Sequence, residues 1–114
     1  MLQAKLHRVA VTGADLNYEG SCGIDEELLE TSGLRENQHI EIYNVFNGER
    51  FATYIIVEQR GSGRITLNGA AARRVAVGDL LIICAYSSYE ESELRSYKPR
   101  VVQVDAHNRP TAVR

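Results

Sequence analysis

No apolar run in this 114-residue chain approaches the roughly 18 residues that a membrane-crossing helix needs. The opening stretch, Met1-Leu2-Gln3-Ala4-Lys5-Leu6-His7-Arg8, has neither the apolar core nor the small-residue cleavage site of a secretory signal. Both absences predict a cytosolic protein with no membrane partner. Charge of one sign is also lacking. The formal net charge is −2, so no global basic field invites nucleic acid or anionic lipid. Cysteine is scarce: Cys22 and Cys84 are far apart, which excludes a zinc ribbon or a C-x-x-C redox pair on spacing and leaves two reduced thiols. The histidines His7, His39 and His107 are equally scattered, and no metal site can be read from them. A glycine-rich phosphate loop, an H-E-x-x-H helix and a G-x-S-x-G elbow are all missing. There is no internal repeat and no low-complexity segment.

What remains is an ordinary globular composition, 44% hydrophobic and 25% charged, enough for one domain. Most of it reads as short strands. Residues 2–12 alternate, with Leu2, Ala4 and Leu6 on one face and Lys5 and His7 on the other. Near Arg8 the phase slips and Val9 and Val11 become the apolar set, which predicts a bulge or a strand passing between sheets. Residues 39–46 and 49–58 flank Asn47-Gly48, a strong hairpin signal. Gly61-Ser62-Gly63 turns into a strand at 64–67. The run 80–85 is apolar throughout, as in a strand covered on both faces, and 101–104 gives a sixth strand. The tail from His107 reads as mobile. Helix is scarce. Asp25 can cap a short helix over Glu26 to Thr31, with a staple between Ile24 and Leu29 and Gly33 at its end. A second short helix fits Ala70 to Arg74. Six strands with so little helix argue for a closed barrel or a compact sandwich.

Several polar residues stand where strands usually carry plain ones. Lys5 and His7 share a face of the first strand. Arg50 and Tyr54 share a face of the second hairpin strand, and Thr53 points the other way. Asn68-Gly69-Ala70-Ala71-Ala72 is a small-residue segment that lets a backbone approach a ligand closely. Each also has a plain reading: an edge-protecting lysine, a cross-strand surface cluster, a turn followed by good helix formers. Gly20-Ser21 lies in a loop before the first helix, where a hydroxyl can attack a strained neighbouring peptide. Composition predicts about half of one Gly-Ser pair by chance and the chain has two, at 20–21 and 61–62. The dipeptide alone is uninformative.

Five segments in order resemble the pyruvoyl-dependent aspartate decarboxylases. They are Lys5-Leu6-His7-Arg8, Ala14 to Ser21, Asn47-Gly48-Glu49-Arg50-Phe51 with Thr53-Tyr54, Asn68 to Ala72, and Val77-Gly78-Asp79. The likeness runs from Met1 to about Tyr89 and fades beyond. It implies a mainly β fold, a six-stranded double-psi β-barrel with short capping helices. It implies a homotetramer with active sites between neighbouring subunits. The translated chain would be a zymogen that cleaves itself between Gly20 and Ser21, giving a β chain of residues 1–20 and an α chain of 21–114. Ser21 would become a covalent pyruvoyl cofactor, with no metal, and would form a Schiff base with the substrate amine. Decarboxylation of L-aspartate would then yield β-alanine for pantothenate and coenzyme A synthesis. Within the resemblance Tyr54 is the proton donor and Thr53 supports processing. Arg50 and Lys5 are cations for the substrate carboxylates, Gly69, Ala70, Ala71 and Thr53 contact substrate, Asn68 orients, and His7 helps hold the site. Cys22 has no role. The rival readings are a barrel of the same architecture that binds a ligand and never cleaves, and a pyruvoyl enzyme acting on glutamate or cysteine.

Overall fold

The phase slip in the first strand is a bulge. In the computed structural model, which describes all 114 residues, strand β1 (Leu2–Ala10) pairs antiparallel with β7 (Leu80–Tyr86). Leu6 stands opposite Ile83 and Val9 opposite Leu81, so β1 holds one extra residue there. Arg8, within the bulge, is in the left-handed region at φ +64, a conformation that G1-type bulges use. Because of it, Ala4 and Leu6 on one phase and Val9 and Val11 on the other all reach the same buried core.

Between these strands lie β2 (Gly13–Asp15), β3 (Ser21–Asp25), β4 (His39–Asn44), β5 (Arg50–Glu58) and β6 (Ile65–Asn68), followed after β7 by β8 (Arg100–Val104) and β9 (Pro110–Val113). Their order in space is β2-β6-β3-β5-β4-β7-β1-β8-β9. Three of the pairings, β1 with β8, β2 with β6 and β3 with β5, are parallel. The chain leaving β1 ties the far regions together: Val11 N–H donates to Asp79 O at 2.9 Å and Thr12 N–H to Ile65 O at 2.8 Å. Such non-sequential pairing needs sharp crossovers and is why short strands dominate. The β4–β5 hairpin turns through Asn47-Gly48 as its sequence requires, with Tyr43 opposite Arg50 and His39 opposite Tyr54.

Helix α1 (Glu26–Ser32) begins at Asp25, whose carboxylate accepts the Glu27 N–H at 2.9 Å. Ile24 and Leu29 are both buried, and Gly33 closes the helix at φ +79 with its N–H on Leu29 O. Asp25 also accepts N–H bonds from Gly61 at 2.9 Å and Gly63 at 2.8 Å. One buried carboxylate therefore caps the helix and pins the turn before β6. The second short helix is a 3-10 segment, Gly69–Arg74, and another spans Glu93–Arg95.

Two expectations need correction. Nine strands are present where alternation predicted six; β2, β3 and β9 are three to five residues long, too short to show a period. The tail is not mobile. Its β9 pairs with β8, and Asn108, 2% exposed, donates to Ala10 O and Gly63 O and accepts the Ala10 N–H, each at 2.8 Å. Those partners are 45 to 98 residues away, beyond any local signal. No helix is long and apolar enough to cross a membrane.

Candidate active site

Ser21 does not sit in a loop. It is the first residue of β3 and is 1% exposed. Across the antiparallel β3–β6 register stands Asn68, whose Nδ2 donates to Ser21 Oγ at 3.0 Å. The serine hydroxyl has only a long 3.5 Å contact with Glu19 O for its own proton, near the limit of a hydrogen bond. A buried hydroxyl oxygen held by an amide donor, with a loosely engaged proton, is free to move against the adjoining peptide.

That peptide is held by glycine. Gly69 begins the 3-10 segment at φ +68, and a Cβ there would lie 2.8 Å from Gly20 Cα and 2.9 Å from Gly20 N. The close approach expected of this small-residue stretch is therefore to the chain's own Gly20 backbone. Beside it opens a cavity of about 230 Å³ lined in part by Gly20, Thr53, Asn68, Ala70, Ala71 and Arg74. Strand β5 contributes Phe51, Ala52 and Thr53 to the same wall, while Arg50 and Tyr54 to either side of them are exposed.

The cationic candidates are elsewhere. Lys5 stands opposite Cys84, Cys84 opposite Glu41 and Glu41 opposite Ala52, a row across four strands on the open face of the sheet. Arg50 and Tyr54 lie on that same face. The Arg50 guanidinium is 3.9 Å from the centroid of the Tyr43 ring, a cation–π contact that fixes its plane, and Tyr43 Oη is 2.8 Å from Tyr86 Oη. Tyr43 was missed in the sequence, although the hairpin register through Asn47-Gly48 would have paired it with Arg50. His7 is apart again, lining an open pocket with Arg8, Leu80 and Gln103. Its Nδ1 is buried without a partner. Desolvation, then the charges of Lys5, Arg8 and Arg114, holds its pKa below the usual histidine value.

The candidate residues thus fall into two groups. Ser21, Gly20, Asn68, Gly69, Ala70, Ala71 and Thr53 converge; Lys5, Arg50 and Tyr54 form a separate face. Nowhere do three His, Cys, Asp or Glu side chains converge for a metal ion. Burial pushes the Cys22 thiol, next to Ser21, up to about 12, with the Glu58 charge adding to it, so it is no nucleophile at neutral pH.

Comparison with known proteins gives the family and the fold. A family model described as aspartate decarboxylase matches residues 1–111. The chain is 64% identical over 114 residues to an aspartate 1-decarboxylase of Bordetella avium, covering 100% of this chain and 93% of the relative. It is 62% identical over 114 residues to that of Ralstonia pickettii, covering 100% and 95%. For Cupriavidus necator the figures are 61% over 108 residues, 95% and 90%. Among solved structures, a rationally designed double-psi β-barrel matches 71% of this chain and 95% of its own with a TM-score of 0.53 and 14% identity. A computationally designed one matches 66% and 95%, with a TM-score of 0.51 and 21% identity. The fold is that barrel.

Proposed function

The chain belongs to the aspartate decarboxylase family, and from that membership we propose that Ser21 is the source of its pyruvoyl group and that the cavity beside it is where L-aspartate reacts. The family reaction is the pyruvoyl-dependent conversion of L-aspartate to β-alanine and CO2, which feeds pantothenate synthesis. The observation that carries the assignment is the Asn68 Nδ2 bond to a buried Ser21 Oγ, beside a Gly20 backbone seated on Gly69.

Processing follows from those atoms. Ser21 Oγ adds to the Gly20 carbonyl carbon, the C–N bond breaks, and the hydroxyl proton passes to the freed nitrogen, leaving an ester. Loss of the Ser21 Cα proton then expels the Gly20 carboxylate with Oγ, and the dehydroalanine left at position 21 takes up water and releases ammonia. The cleaved chains are residues 1–20 and 21–114. Thr53 lines the cavity beside Gly20 and is the hydroxyl donor to the developing oxyanion; one such donor contributes about 3 kcal/mol. The residues present fit the group that results: the Asn68 amide and the small side chains of Ala70 and Ala71 on the cavity wall would hold it. When formed, that ketone supplies an electron sink for the pair left as CO2 departs.

The remaining roles need a second copy of the chain. Lys5, Arg50 and Tyr54 share a sheet face, and none of the three lines the cavity beside Gly20 in the same chain. In a homotetramer with sites between subunits, that face closes over a neighbour's Ser21. Arg50, flattened on Tyr43, then offers a planar fork to a substrate carboxylate, Lys5 adds charge, and Tyr54 Oη returns the proton to the substrate carbon.

Intact mass combined with aspartate-dependent CO2 release tests the reading. Wild type gives two chains split between Gly20 and Ser21, the longer one beginning with the pyruvoyl group, and releases CO2. Ser21→Ala stays one folded chain without turnover. An uncleaved chain that still releases CO2 overturns the assignment, and an uncleaved, inactive wild type leaves the ligand-binding barrel in its place.

A further inference from the structure

Arg50 is held differently from the arginines near it. Arg60, Arg64 and Arg74 each face a carboxylate. Arg50 joins no ion pair, and Glu49, its neighbour in sequence, is taken by Arg74. Its guanidinium lies instead 3.9 Å from the centroid of the Tyr43 ring. Contact through the ring face leaves the in-plane N–H donors uncommitted, as a bidentate carboxylate clamp requires. An exposed cation–π contact is weak, however, and does not by itself hold the ring that supports it.

The ring is held from its other end. Tyr43 Oη is 2.8 Å from Tyr86 Oη, and the Cys84 thiol shares a hydrogen bond with Tyr86. Tyr43 stands opposite Arg50 on β5 and opposite Ile82 on β7, while Cys84 stands opposite Glu41. Tyr86 lies two places beyond Cys84 on the same face of β7. The two hydroxyls can therefore meet only if the rings lean toward each other along the strands, over the Glu41–Cys84 pair. Both tyrosines wall one open pocket with those two residues. The bond to Tyr43, then desolvation, raises the Tyr86 pKa above the ordinary tyrosine value, so its proton stays in place through the neutral range.

Resting on Arg50 as a cation for a substrate carboxylate, we propose that Tyr86 is a positioning residue for that arginine, acting through the Tyr43 ring. The contacts cross three neighbouring strands, β7 to β4 to β5. They run from a hydroxyl that touches no substrate to the guanidinium that does. With the ring loose, Arg50 must be ordered when substrate binds, and that ordering weakens binding.

The test uses fully cleaved protein, verified by intact mass. CO2 release is measured against aspartate, and succinate binding by titration calorimetry. Succinate carries two carboxylates without the amine, so it reports binding without reaction. Tyr86→Phe removes one hydroxyl and should raise KM and the succinate Kd about three- to fivefold, with kcat held within about twofold. Tyr43→Phe keeps the ring under Arg50 but breaks the same bond, and should give the same rise. The double variant should be no worse than either. Arg50→Gln removes the clamp and should weaken both constants roughly tenfold; adding Tyr86→Phe to it should change nothing further. A hydroxyl that only supports the fold acts independently of Arg50, so its effect would multiply with that of Arg50→Gln. Multiplying effects, or unchanged constants with Tyr86→Phe, overturn the proposal while leaving Arg50 as the clamp. Wild-type constants with Arg50→Gln remove the clamp reading and the proposal with it. Should Tyr86→Phe fail to cleave, Tyr43→Phe decides on the same terms; failure of both makes the hydroxyls folding elements and ends the proposal.

Discussion

Replacing Gly69 by alanine separates two effects that the structure keeps distinct, backbone strain and steric contact. Gly69 is at φ +68, and a Cβ there would sit 2.8 Å from Gly20 Cα, 2.9 Å from Gly20 N and 3.1 Å from Tyr18 O. Gly48 shares the left-handed conformation, φ +76, with nothing within 4 Å of its Cβ position. Left-handed backbone costs a residue with a side chain about 1–2 kcal/mol, and this applies to both sites. Only at Gly69 does overpacking add about 1–3 kcal/mol more, because the atoms in the way are backbone and cannot rotate aside. Gly69→Ala should therefore lose about 2–5 kcal/mol against about 1–2 for Gly48→Ala. For a domain of this size each kcal/mol is about 4 °C in Tm, so the two variants should differ by about 4–12 °C. Thermal unfolding in a Ser21→Ala background measures this on uncleaved chains. In the wild-type background Gly69→Ala should also slow cleavage, since Gly20 must move away from Ser21 Oγ, while Gly48→Ala should cleave normally. Equal melting temperatures for the two, or unimpaired cleavage with alanine at 69, would refute the claim that Gly69 seats the Gly20 backbone.

Three further outcomes follow from particular groups. Asn108→Ala removes three buried hydrogen bonds and should lower stability by about 2–4 kcal/mol, with faster proteolysis of the last residues; an unchanged Tm would mean the tail is not anchored there. His7 is held below its ordinary pKa of 6.5 by burial and by Lys5, Arg8 and Arg114. The unfolded chain therefore binds the proton first, and stability present above about pH 6.5 should decline as pH falls through and below that value. The Tm of wild type should drop relative to His7→Gln between about pH 7.5 and 5.5; parallel curves would contradict it. Cys22, raised to about 12 by burial, should resist iodoacetamide in the folded protein. Burial raises Cys84 as well, but a Tyr86 hydrogen bond and the charges of Lys5 and Arg50 work against that rise, so it should label first, and peptide mapping of partly labelled protein reads the order.

Much of the architecture was legible because its causes are local. The slip at Arg8 became a bulge, Asn47-Gly48 a hairpin, and Asp25 a cap with Gly33 closing the helix, each set by residues within a turn or two of one another. Strands β2, β3 and β9 were not legible, since three to five residues cannot show an alternation. Their existence depends on partners far along the chain. The candidate site divided in the same way. The residue types at Ser21, Asn68, Thr53, Arg50 and Tyr54 were recognisable in order, but Ser21 was read into a loop, and the cavity beside Gly20 carried no signal because it is assembled from three separate stretches of chain.

The sequence by itself therefore determined the family, the chemistry available to each side chain and the local turns and caps. Those depend on residue identity and on spacings of a few positions. Only the tertiary structure decided that Ser21 is buried under Asn68, 47 residues away, that Gly20 rests on Gly69, and that Lys5, Arg50 and Tyr54 are not among the residues lining the cavity beside Gly20. Such contacts exist only once long loops have closed and the short strands have chosen partners, a choice made by the whole barrel core and by no single segment of it.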